Sequence, residues 1–134
     1  MNWKRIAAIA YTVVTVGIIA FQIALALGAP WGAFAMGGAF HGQFPPPLRI
    51  AALVQAVILI ALAGVVLARA GVALPRWSRA SRRWIWVVVA FSGLSLLLNL
   101  ITPSAGERMI WAPVGFVLLV CSLVMARGKS NELA

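Results

Sequence analysis

Four stretches of the chain carry no charged residue: 6–27, 50–68, 84–101 and 109–126. Each is close to the roughly 20 residues with which an α-helix crosses a hydrocarbon core about 30 Å thick. A soluble domain of 134 residues could not hide so much apolar surface. The makeup agrees, with 63% of residues hydrophobic, 10% charged and a mean hydropathy of +1.02. The sequence therefore predicts an all-α integral membrane protein, a four-helix bundle of two transmembrane hairpins. Residues 1–134 read as one transmembrane domain, with a long ordered outer loop at 28–49 and a basic loop at 70–83. The first run follows Asn2-Trp3-Lys4-Arg5 and contains Ala24-Leu25-Ala26, as a cleavable leader would. Its apolar length exceeds the leader limit of about 15 residues and its loss would leave an odd number of spans, so it is expected to be kept.

Orientation follows from the cations. Lys4, Arg5, Arg69, Arg76, Arg79, Arg82, Arg83, Arg127 and Lys129 fall on one side, leaving Arg49 and Arg108 on the other. Basic residues beside spans are retained in the cytoplasm, so both termini are expected there. The net charge of +9 then reads as a topology signal, and no nucleic-acid partner is expected. The expected setting is the bacterial plasma (inner) membrane, crossed several times, with the lipid bilayer as partner. The tryptophans fit two interfacial belts, Trp3, Trp77, Trp84 and Trp86 inside and Trp31 and Trp111 outside.

Polar groups inside the spans gather at the outer end. Gln22, Gln55 and Asn99 lie within about 10 Å of the external surface at 1.5 Å rise per residue. His41 and Arg49 from the first outer loop, with Glu107 and Arg108 from the second, join them there. The inner half offers Tyr11, Thr12, Thr15, Ser92, Ser95 and Ser122, hydroxyls that commonly bond their own helix carbonyls. The candidate ligand-binding set is Trp31, His41, Arg49, Gln55, Asn99, Glu107, Arg108 and Trp111. Plainer roles compete for each: amides as interhelical bonds, cations and imidazole as solvated groups, aromatic rings as belt residues. Ser104-x-x-Glu107 before an apolar run is a helix-start pattern, on which Glu107 is structural, with a Glu107–Arg49 pair across the two hairpins as an addition.

Local signals place the helix ends. Gly28 and Gly71 are expected to stop the first and second helices, Ser78 or Ser81 to cap the third, and Pro45-Pro46-Pro47 to fix the approach to the second. Small residues at four-residue spacing, Ala20, Ala24 and Gly28, Ala52 with Ala56, and Gly64 with Ala68, mark close packing within the first hairpin.

Catalytic signatures are missing from the sequence. It has no aspartate, no paired carboxylates and no nucleophile beside a histidine, so no catalytic residue is assigned and the reading leans away from an enzyme. His41 has only Glu107 as a prospective co-ligand, so no metal is expected, nor any cofactor. Cys121, alone in the fourth run, excludes an internal disulfide and reads as a core residue.

The first run lacks the embedded glutamate of the small multidrug resistance exporters. Over nearly the whole chain, Leu27-Gly28-Ala29-Pro30-Trp31-Gly32 with Gly37-Gly38, and Asn99-Leu100-Ile101-Thr102-Pro103-Ser104 with Glu107-Arg108 and Trp111-Ala112-Pro113, resemble a group of uncharacterised bacterial four-span membrane proteins. That resemblance implies the four-span architecture and directs attention to the outer loops, and it implies no activity. Two functions stand ahead of a third, an enzyme acting on a lipid-like substrate with Glu107 or His41 as general acid or base. One is binding or movement of a small or lipid-like ligand at an outward pocket under the 28–49 loop. The alternative is a non-catalytic accessory or structural subunit that packs against another membrane protein or a second copy of itself.

Overall fold

The computed structural model describes residues 2–35, 38 and 40–127; Lys129 of the basic set and Gly37 of the loop motif lie outside them. Four helices account for most of the chain: α1 (Trp3–Ala26), α2 (Pro46–Arg69), α3 (Ser78–Ile101) and α4 (Ala105–Arg127). All four are long and apolar enough to cross a membrane. α1 lies along α2 and α3 along α4, and contacts of α1 with α4 and of α2 with α3 close the bundle.

The helices outrun the charge-free stretches. α2 begins at Pro46, α3 at Ser78 and α4 at Ala105, so the first loop shortens to 27–45 and the basic loop to 70–77. Charge marks where hydrocarbon ends, whereas a helix ends only where its backbone bonds do. Arg79, Arg82 and Arg83 therefore ride on the first turns of α3, and Glu107 and Arg108 on that of α4. Pro46 and Pro47 are not an approach to α2 but its first two residues, with Pro45 as the N-cap. Proline suits these positions because the first amides of a helix have no intrahelical acceptor to lose.

The glycine stops form as expected. Gly28 takes φ +106° and Gly71 φ +73°. After α1, Gly28 N–H bonds to Leu25 O at 3.2 Å and Ala29 N–H to Ala24 O at 2.9 Å. Gly71 and Val72 repeat the pattern on Ala68 O and Leu67 O at 3.2 and 3.0 Å, so both helices close in a Schellman turn. Neither expected serine caps α3. A 3-10 turn at Pro75–Trp77 runs straight into the helix with Trp77 in the N-cap position, and Ser81 Oγ donates back to Ser78 O at 2.7 Å. Ser104 does cap α4, its Oγ accepting Glu107 N–H at 3.2 Å. The reciprocal half of that motif is replaced, since Ser104 N–H goes to Thr102 Oγ1 at 3.3 Å.

Two clusters fill the interior. Toward the terminal end, Ala8, Tyr11, Val66, Ile85, Val88 and Met125 are buried between all four helices. Toward the loop end, Phe44 and Ala35 from the first loop pack with Leu25 and Ala52. Ala52, Ala56 and Ala68 are buried as close-packing residues should be, but Ala20 faces outward and Gly64 receives the Trp77 ring. The outward helix faces carry Val13, Val57, Leu97 and Phe116, an apolar exterior suited to lipid. Lys4 and Arg69 are not solvated: both are buried at the terminal end, each engaged in contacts of its own.

Candidate functional site

The first loop is a folded cap rather than a tether. Gly32 N–H bonds to Gly42 O at 3.0 Å and pins the two limbs of the loop together. A side chain at Gly32 would run into the Phe40 and Gly42 carbonyls, which is why the close approach takes a glycine there. The loop is then fastened to the helices through its carbonyl oxygens. Ser104 Oγ donates to Ala33 O at 2.8 Å, Trp111 Nε1–H to Phe34 O at 2.7 Å, and Arg49 Nε–H to Phe44 O at 2.7 Å. The Phe34 ring lies over Gly106, where an added Cβ would stand 2.6 Å from it. Phe21 of α1 stacks on Trp31 with centroids 6.2 Å apart and meets Trp111 at 4.9 Å in a tilted arrangement. α1, the loop and α4 thus share one aromatic cluster.

Beneath this cap the helices part around a cavity of about 260 Å³. α1 lines it with Tyr11, Ile18, Phe21 and Gln22, and α2 with Gln55 and Leu59. α3 contributes Phe91, Ser92, Ser95, Leu98 and Asn99, and α4 contributes Glu107, Trp111, Val114, Gly115 and Leu118. Phe34 and Ala35 of the loop complete the wall. From Gln22 down to Tyr11 the lining covers about 16 Å of helix at 1.5 Å per residue. The polar groups are graded along that length. Gln22, Gln55, Asn99 and the buried Glu107 stand near the loop, rings and aliphatic side chains follow, and hydroxyls lie at the bottom. There Tyr11 interacts with the Ser92 and Thr15 side chains, although neither Thr15 Oγ1 nor Ser92 Oγ completes a well-formed hydrogen bond.

Of the eight residues expected at a site, four line the cavity: Gln55, Asn99, Glu107 and Trp111. Asn99 spends one Nδ2–H on Ser95 O at 2.8 Å, which leaves its carbonyl oxygen and the second N–H to offer. The other four are elsewhere. Trp31 backs Phe21, Arg49 holds the loop, and Arg108 Nη2–H donates to Thr102 O at 3.1 Å at the end of α3. His41 is exposed, in a shallow groove outside the cap beside Pro103 and Ser104. Sequence reasoning missed the floor. Tyr11 and Ser92 are buried hydroxyls in the half of the bundle where such groups were expected to bond their own helices, as Ser122 Oγ does to Leu119 O at 2.9 Å. No sequence signal separates them from self-bonded hydroxyls, since their burial comes only with tertiary packing.

Among the described residues no three His, Cys, Asp or Glu side chains come together as a metal ligand set. The cavity is a mostly apolar, aromatic-lined space with a few polar groups, the make-up common to ligand pockets. No protein-family profile, curated protein or solved structure matches the chain.

Proposed function

We propose that this chain is a multi-pass protein of a bacterial cytoplasmic membrane that binds a small amphipathic or lipid-like ligand in an outward-facing cavity and helps to move it. The observation that carries the reading is the cavity itself, lined by all four helices and by residues of a loop that hydrogen bonds fasten to them. A merely structural polar seam would close on itself, whereas Gln22, Gln55, Asn99 and Glu107 border open space. The loop serves as the lid, since among the described residues the hydrogen bonds that tie it to the start of α4 are two, worth about 1 kcal/mol each. The basic residues on the opposite end support a cytoplasmic location for both termini.

Cysteine substitution with a membrane-impermeant maleimide tests the reading in a Cys121→Ala background. In intact cells His41→Cys labels and Arg79→Cys does not, if the loop faces outward. In the same cells Ala35→Cys and Phe44→Cys label far more slowly than His41→Cys, because a closed lid covers them. Uniformly fast labelling across the loop removes the lid and leaves the accessory-subunit reading in its place.

A further inference from the structure

We infer that the cavity selects a positively charged ligand, a small organic ammonium ion with an aromatic or aliphatic body, held by Glu107 among aromatic rings. The inference rests on the pocket reading above and names the chemistry that pocket would take.

The chain carries 11 Lys and Arg against 2 acidic residues, so an interior site of negative character is not what its composition leads one to expect. Yet among the described residues Glu107 is the one carboxylate that lines the space, and no described Lys, Arg or His borders it. The two cations at that end are turned away from it. Arg49 reaches the Phe44 carbonyl and Arg108 the Thr102 carbonyl, each neutralising a backbone dipole outside the cavity. Glu107 is only 8% exposed, where water screens its charge weakly. Glu107 already has contacts of its own, and a carboxylate, with about four lone-pair positions, can keep such contacts and accept a further donor.

Around that charge stand Phe21, Phe34 and Trp111, with Phe91 farther down. Aromatic faces attract cations through their quadrupole, most strongly when water is excluded, and they accept quaternary ammonium groups that a hydrogen-bonding site would not. The amide oxygens of Gln22, Gln55 and Asn99 add acceptors for an ammonium that still carries N–H. An anion would meet the carboxylate and ring faces with no cation to answer it, which makes the preference one of sign and not of shape.

The test uses the full chain in nanodiscs, labelled with fluorotryptophan, and reads the Trp111 fluorine resonance, assigned through Trp111→Phe. The probes are benzyltrimethylammonium and its uncharged carbon isostere neopentylbenzene, with empty nanodiscs as the blank for partitioning. The expected result is a saturable shift with the cation at least about tenfold tighter than the isostere, the scale of one charge-assisted contact. Glu107→Gln should erase that difference while leaving isostere binding in place. Equal affinities for the two probes in the native protein overturn the charge assignment but leave the pocket standing. Cation binding that survives Glu107→Gln unchanged overturns the role of Glu107. A failure of both probes to shift Trp111 overturns the pocket reading together with this one. The comparison of probes on the native chain does not depend on the variant folding.

Discussion

Trp111 of α4 donates its indole N–H to the carbonyl of Phe34, 77 positions earlier in the chain, across 2.7 Å. This bond joins a helix to a loop whose described residues supply no side-chain donor to it. Trp111→Phe keeps a ring against Phe21 and removes only the N–H, so it isolates the tether. We expect a loss of about 1 kcal/mol in stability. Amide exchange at Ala33 to Ala35 should quicken while exchange in the middle of α1 stays unchanged. Equal acceleration in both places would show that the residue supports the whole bundle instead.

Ser104 performs two tasks with one oxygen, accepting Glu107 N–H and donating to Ala33 O. Ser104→Ala therefore removes a helix cap and a loop tether together, and should cost about 2 kcal/mol, more than an ordinary cap. Combined with Trp111→Phe the losses should not add, because both tethers hold the same loop segment. Denaturant titration in mixed micelles measures all three variants.

Two glycines give opposite expectations. At Gly32 an added methyl meets the Phe40 and Gly42 carbonyls, and at Gly17 it meets nothing within 4 Å. Gly32→Ala should open the loop and let the maleimide reach a cysteine at Phe44. Gly17→Ala should be neutral or raise stability by up to about 1 kcal/mol through helix propensity. Melting temperatures in one detergent compare the pair.

Helices α3 and α4 lie close at Gly115, where a Cβ would stand 3.3 Å from Leu96 Cα. Gly115→Val should force them apart and cost about 1–3 kcal/mol. It should also shrink ligand capacity, since Gly115 lines the cavity. Gly93→Ala, whose nearest neighbour is Leu119 Cδ1 at 3.8 Å, serves as the tolerated control. A probe that binds both variants equally would place the ligand away from Gly115.

How much of this could be read from sequence differs by residue. The spans were legible because hydrocarbon excludes charge, and the runs without charge are the parts that need no water. Their ends were not, since Arg82 and Glu107 sit on helix yet lie outside the charge-free runs. Gln55, Asn99 and Glu107 announced themselves as polar groups in or beside apolar runs. Tyr11 and Ser92 did not, because a hydroxyl has a carbonyl of its own helix within reach, and only tertiary packing decides whether it is used. Arg49, Arg108 and Trp31 were legible as contact-prone but not as to what they would touch. Their partners are main-chain oxygens and a ring set in place by a loop fold that no periodic pattern encodes.

Ala33, Phe34, Gly42 and Phe44 enter the loop's fastenings through their main-chain oxygens, and the groups that grip the loop from outside it belong to Ser104, Trp111 and Arg49. A carbonyl is the same on every residue. These bonds thus do not read the exposed side chains, and outside Gly32 and the packed Phe34, Ala35 and Phe44 the exposed positions Pro30, Phe40, His41 and Gln43 are open to rewriting. An epitope or a reporter group placed there would ride on a shut cap, which makes this face of the protein a natural handle for reagents that follow its opening.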